Sequence, residues 1–167
     1  VTISGTGSYT GTCVKAYEIT KAPLTVNAGS ASKVYDGEAL TAGATIEGLV
    51  GGENATAQAQ GSQTEVGSSA NTVSSDITWD TAKKGNYYIA AQNDGTLTVT
   101  PKGIAQMTVG SLPDVIYTGE SQQQKPVVKD GEKALTEGVD YELTYSGNTT
   151  DAGTVTVTVT GKGNYAG

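Results

Sequence analysis

Histidine and phenylalanine are absent from this 167-residue chain, and cysteine, methionine and tryptophan occur once each. Without histidine, the common Ser-His and Cys-His catalytic arrangements and imidazole metal sites cannot form. The single cysteine, Cys13, cannot close an internal disulfide, so the chain is not a disulfide scaffold. Because phenylalanine is missing, the core has to be filled by Val, Ile, Leu and some of the nine tyrosines.

Charged residues are also scarce, at 16% of the chain, and the net charge is -7. Nucleic acids and anionic membranes bind clustered Lys and Arg, so neither is an expected partner. No apolar run approaches the roughly 18 residues of a membrane-spanning helix, and no signal peptide precedes Val1. The sequence therefore predicts a soluble segment that begins within a longer protein.

No motif for catalysis or for a bound cofactor is visible. The 17 Asp and Glu residues could supply a glycosidase pair, but such a pair needs a cleft between elements. Small β-sandwiches rarely offer one, so we expect a protein that is not an enzyme and that uses no metal or cofactor.

What the chain does contain is glycine, with 23 residues, and internal repetition. Gly7-Ser8-Tyr9, Gly85-Asn86-Tyr87 and Gly163-Asn164-Tyr165 follow one another at intervals of 78 residues. Tyr35-Asp36-Gly37-Glu38 and Tyr117-Thr118-Gly119-Glu120 form a second pair, 82 residues apart. The period of about 80 residues predicts tandem modules of one small domain each.

The repeat also predicts where the modules begin and end. Residues 1–11 align with residues 157–167 without a gap, so both belong to the late part of a module. We expect residues 1–21 to be the last strands of a preceding module and residues 22–102 to be a complete one. Residues 103–167 are expected to form a module that lacks its last strand.

Strand patterns are dense and helical patterns are nearly absent. Val155 to Thr160 and Tyr141 to Tyr145 alternate with a period of two, as half-buried strands do. Asp130-Gly131 is typical of a hairpin turn, and only Asp80 to Lys84 is compatible with a helical turn. We predict an all-β fold of tandem small Ig-like β-sandwich modules, with β-grasp-like modules as the alternative.

The element Val34-Tyr35-Asp36-Gly37, which follows Thr20 to Val26, resembles the YDG and MBG-type repeats of bacterial surface proteins. The third module, from Tyr117 to Tyr165, is similar to Ig-like repeats of large cell-wall-anchored proteins. The resemblance implies an extracellular module, located at the bacterial cell surface or cell wall and packed against neighbouring repeats. Such arrays are spacers that hold an adhesive or other domain away from the cell, and no catalytic residues belong to the pattern.

The aromatic residues allow two interpretations. Tyr9, Tyr87 and Tyr165 share one repeat position, which indicates rings packed beside a turn, with a bonded or solvated hydroxyl. Trp79, Tyr87 and Tyr88 could instead form a stacking platform for sugar. The alternative function is therefore a module that binds a host glycan or matrix protein through the middle module.

A module without its last strand would leave an open sheet edge. The segment from Cys13 to Thr20 occupies the repeat position of that strand. We therefore hypothesise head-to-tail strand exchange, in which this segment of one molecule fills the open position in a neighbouring molecule. The residues expected to carry it are Cys13, Val14, Ala16, Tyr17 and Ile19.

Overall fold

The computed structural model describes all residues from Val1 to Gly167, and nearly all its regular structure is β-strand. The only helical elements are two 3-10 turns, Lys84–Asn86 and Ile104–Gln106. The predicted all-β, sandwich-like fold is confirmed. The helical turn expected at Asp80 to Lys84 lies further along the chain, as the 3-10 turn Lys84–Asn86.

The first 20 residues are exposed and contain one hairpin, of β1 (Thr2–Ser4) and β2 (Thr12–Val14). Its turn repeats at the other end of the chain. The amide of Gly5 donates to the carbonyl of Gly11, as the amide of Gly161 donates to that of Gly167. The repeat found in the sequence therefore reproduces local backbone geometry as well as residue identity.

Eight strands form the middle module: β3 (Ala22–Ala28), β4 (Ala31–Val34), β5 (Ala44–Glu47), β6 (Ala55–Ala59), β7 (Gly67–Asn71), β8 (Val73–Trp79), β9 (Tyr87–Asn93) and β10 (Gly95–Thr100). Two sheets have three strands each, in the orders β5-β3-β9 and β4-β10-β7, and β6 pairs with β8. The side chains of Leu24, Val26, Leu97 and Val99 are almost completely buried, as the period-two pattern of β3 and β10 requires.

Each of the two three-stranded sheets of the middle module contains a parallel pair, β3 with β9 and β4 with β10. The two pairs are continuous, since β3 runs on into β4 and β9 into β10. At Gly29 and Gly95, where the chain passes from one sheet to the other, the two backbones approach closely. An Ig sandwich is built from antiparallel sheets, so these parallel pairs are a feature that the alternation pattern did not resolve.

The third module has seven short strands: β11 (Lys102–Gly103), β12 (Thr108–Val109), β13 (Val128–Asp130), β14 (Lys133–Ala134), β15 (Tyr141–Ser146), β16 (Thr156–Gly161) and β17 (Tyr165–Ala166). Their sheets have the orders β11-β17, β12-β13-β14 and β15-β16. The predicted hairpin at Asp130-Gly131 is confirmed, with Gly131 at a φ of 58°. The alternating segments predicted at Tyr141 and Val155 become β15 and β16.

Candidate functional site at the joint between the modules

The largest hydrophobic core of the chain crosses the boundary between the middle and third modules. Tyr35 and Val99 come from the middle module. Five buried residues of the third module pack with them: Ile104, Val128, Leu135, Tyr141 and Tyr165. Only Pro101 separates β10 from β11, so the chain crosses this boundary with a connection of one residue. The candidate site, called here the joint, is this shared core with the polar contacts around it.

Two tyrosines form the centre of the joint. Tyr35 follows β4, and Tyr165 begins β17. Their rings meet edge to face, with centroids 5.8 Å apart and an interplanar angle of 78°. This arrangement places the positive edge of one ring against the negative face of the other, which is the favoured geometry. Both residues are more than nine-tenths buried, so each module excludes water from an aromatic side chain of the other.

Asn164 ties the two modules together by hydrogen bonds. Its side-chain oxygen accepts from the amide of Val66 at 2.9 Å, and its side-chain nitrogen donates to the carboxylate of Glu65. The backbone oxygen of Asn164 accepts from the amide of Lys102, also at 2.9 Å. One asparagine therefore binds the middle module through its side chain and the connecting segment through its backbone.

A half-buried ion pair borders the joint. The ammonium of Lys102 lies 2.6 Å and 2.9 Å from the two carboxylate oxygens of Asp130, and the Tyr165 hydroxyl donates to the same carboxylate at 3.2 Å. Burial raises the pKa of Tyr165 above its ordinary value, and the nearby negative charge of Asp130 raises it further. The neutral phenol is therefore the form that the folded joint accommodates.

This preference predicts a loss of stability at alkaline pH. A tyrosine in the unfolded chain releases its proton near pH 10. Tyr165 in the folded chain still holds its proton at that pH, because its pKa is raised. The unfolded state then binds fewer protons, so stability that is present below about pH 10 is lost as the pH rises further. Denaturant unfolding of the wild-type chain and of Tyr165→Phe, measured from neutral to alkaline pH, should show a smaller alkaline loss in the variant. Tyr9→Phe, at an exposed position, should follow the wild-type profile, and equal profiles for all three proteins would contradict the assignment.

The structure does not bring Trp79, Tyr87 and Tyr88 together on one exposed surface. Tyr87 is buried, and the partly buried Trp79 ring stacks on it at 6.1 Å. Tyr88 is exposed, because adjacent residues of a strand point to opposite faces. The interpretation of these rings as a platform is therefore wrong for Tyr87, whereas the exposed fraction of Tyr88 is 51%.

The alternative, structural interpretation of the repeated tyrosines is confirmed for two of them. The Tyr87 hydroxyl donates to the carboxylate of Glu53 and accepts from the amide of Val50. The hydrogen bond to Glu53 is the main reason that the pKa of Tyr87 is raised. Tyr165 is packed and hydrogen-bonded in the joint, whereas Tyr9 is exposed.

The residues expected to carry strand exchange lie at the start of the chain. Cys13 and Val14 are in β2, whereas Ala16, Tyr17 and Ile19 belong to a segment that pairs with no strand of the same chain. The exposed fractions of Tyr17 and Ile19 are 78% and 85%. The exchange itself stays a prediction.

The polar contacts of the joint could not be identified from the sequence. Glu65, Lys102, Asp130 and Asn164 are far apart in the sequence. Asp130 is predicted only as part of a hairpin turn, and Glu65 and Lys102 belong to no recognisable motif. The repeated Gly-Asn-Tyr element was the available signal, because it marks Asn164 and Tyr165 as positions with a shared structural task.

No three Asp, Glu or Cys side chains of the chain lie close enough to hold a metal ion. No helix is long and apolar enough to cross a membrane.

Neither a search of curated proteins nor a search of solved structures found a match to this chain. The comparison with protein families did find one, and it covers the residues from Thr20, just before β3, to Thr96 at the start of β10. Residues 20–96 match the YDG domain, so the middle module of this chain is a YDG-type domain.

Proposed function

We propose that this chain is a non-catalytic spacer segment of a secreted bacterial surface protein, where it presents an adhesive or other domain away from the cell wall. The observation that carries the proposal is the joint. Tandem domains joined by exposed flexible linkers move independently, and their contacts are small and polar. Here consecutive modules share a buried core across a connection of one residue, so the orientation of one module determines that of the next.

The contacts of the joint suit a rigid connection between the modules. Aromatic packing between Tyr35 and Tyr165 supplies apolar burial, and the bonds of Asn164 fix the angle of approach. A spacer needs both the apolar burial and the fixed angle, because it has to hold one module in a constant orientation to the next. The YDG-type domain at residues 20–96 is compatible with the non-catalytic part of the proposal.

The proposal predicts that the two modules tumble as one body and that Asn164→Ala loosens them. The substitution removes the acceptor for the Val66 amide and the donor to Glu65, which costs about 1–2 kcal/mol of docking free energy. Residual dipolar couplings of the wild-type chain should fit a single alignment tensor for residues 22–100 and 102–166. In Asn164→Ala the two sets of couplings should need different tensors.

Asn86→Ala is the matched control, because Asn86 holds the same repeat position and is exposed. Its couplings should still fit one tensor. Separate tensors in the wild-type chain would mean that the joint does not fix the modules, and the spacer proposal would then lose its support.

A further inference from the structure

The free edge of β9 is the longest uncharged edge in the middle module. β9 lies at one end of the sheet β5-β3-β9 and pairs only with β3. Its seven residues, Tyr87 to Asn93, contain no charged side chain and no proline. All strands of this sheet lie within residues 22–100, and no residue of β9 belongs to the core of the joint. The backbone groups on the outer side of β9 are therefore open to pairing with a further strand.

Other edge strands of the module show how such an edge is ordinarily protected. β4, β5 and β8 each carry a charged side chain, which opposes pairing with a second chain: Lys33, Glu47 and Asp76. β6 and β7 are uncharged, but they have five residues each and no large apolar side chain. β9 combines an uncharged edge with the exposed side chains of Tyr88 and Ile89. This combination is typical of segments that pair with strands of other molecules.

Charges of opposite sign flank β9. Lys83 and Lys84 precede the strand, and Asp94 follows it directly. All three residues are exposed, and neither lysine forms an ion pair within the chain. When two copies of β9 lie antiparallel, the lysines of one copy lie at the end where the other copy carries Asp94. A parallel arrangement would bring like charges together, so the strand is complementary to itself only in the antiparallel direction.

The centre of β9 has room for a second backbone. Ala90 lies in a bulge and has no partner on β3, and its side chain is exposed. Ala90 and Ala91 have the smallest side chains of the strand. An antiparallel pair centred on Ala90 places Tyr88 and Ile89 of one copy beside the polar end of β9 in the other copy. The large side chains of the two copies therefore do not compete for the same space.

We infer that the edge of β9 is an association surface for a second copy of this chain, which adds its own β9 as an antiparallel strand about a two-fold axis at Ala90. The interface is isologous, because the same strand serves both copies. Hydrogen bonds between the main chains supply the affinity, and the flanking charges set the direction. The inference does not rest on the spacer function, because it concerns only the middle module.

Association is measured on the whole chain by sedimentation from about 1 µM to about 1 mM. We expect a concentration-dependent dimer that Ala90→Lys weakens about tenfold or more, since it brings two like charges together at the centre of the pair. Ser75→Lys adds the same charge at an exposed position of another edge strand, β8, and should leave association unchanged. A chain that stays monomeric over the whole range, or that Ala90→Lys and Ser75→Lys affect equally, would overturn the inference.

The direction of pairing is tested by reversing one charge. Lys84→Glu should weaken association several-fold, because the two carboxylates that then meet at each end of the pair repel. Lys129→Glu is the matched control, since it changes the net charge equally at an exposed position of the third module. Equal weakening by the two substitutions would assign the effect to general repulsion and contradict the antiparallel arrangement.

The centre of the pair is tested by disulfide formation. Cys13→Ser removes the native thiol, which is exposed. In that background Ala90→Cys should form a disulfide dimer under mild oxidation, because opposed residues of paired strands have Cβ atoms about 4.5–5.5 Å apart. Ser75→Cys is the control and should react far more slowly. Similar rates for the two cysteines would show that β9 is not the contact between copies.

Discussion

Asn71→Ala is expected to lower the free energy of unfolding by about 2–4 kcal/mol. Asn71 is the one polar residue whose side chain is completely buried, at the end of β7. Its side-chain nitrogen donates to the carbonyls of Gly29 and Ala42, at 2.8 Å and 3.0 Å. Its side-chain oxygen accepts from the amide of Gly61 at 2.8 Å.

The size of the effect follows from what the substitution leaves behind. Alanine cannot satisfy the two carbonyls or the amide, and each unsatisfied group in a water-poor site costs about 1–3 kcal/mol. Partial access of water to these groups reduces the sum. The side-chain amide of Asn71 also joins β7 to the segments at Gly29, Ala42 and Gly61, so its loss loosens the bend at Gly29 as well as β7.

Equilibrium unfolding in guanidinium chloride, followed by the fluorescence of Trp79, measures the change. Asn93→Ala is the matched control, because Asn93 is exposed and its side chain makes one hydrogen bond, to Asn27 at 2.7 Å. We expect a loss of less than about 1 kcal/mol for that variant. Equal losses for Asn71→Ala and Asn93→Ala would contradict the role assigned to Asn71.

The features of the fold that could be predicted from the sequence are the local ones. β15 and β16 follow from alternation over five or six residues, and the hairpin at Asp130-Gly131 follows from its turn residues. The repeat predicts the positions of the modules, because a period can be read without knowledge of contacts. Each of these signals is contained in a short segment or in the comparison of one segment with another.

The joint and the bend depend on contacts between distant residues, which no short pattern encodes. Asn164 and Val66 are 98 residues apart, and Asn71 and Gly29 are 42 apart. The stretch from Gly51 to Ala70 shows why composition alone is insufficient. Its small side chains are typical of a loose loop, yet β6 and β7 form there and Ala57 is buried, since a small residue suits a strand that packs closely.

Gly95→Ala is the second substitution with a large expected effect, about 2–4 kcal/mol of destabilisation. Gly95 begins β10 at the bend, where the backbone of β3 passes directly over it. A Cβ at this position would lie 2.8 Å from the carbonyl oxygen of Ala28 and closer still to that of Gly29. These atoms belong to the backbone, so a methyl group can be accommodated only if the two strands separate.

Gly43→Ala is the control for Gly95→Ala, because a Cβ at Gly43 would meet no atom within 4 Å. Its effect should be near zero or slightly stabilising, since alanine restricts the unfolded chain more than glycine does.

The double variant of Asn71→Ala and Gly95→Ala tests whether both substitutions act on the same bend. Because both perturb the Gly29 carbonyl, the combined loss should fall short of the sum of the single losses by more than about 0.5 kcal/mol. Additive losses would mean that the amide of Asn71 and the close approach at Gly95 stabilise the module independently.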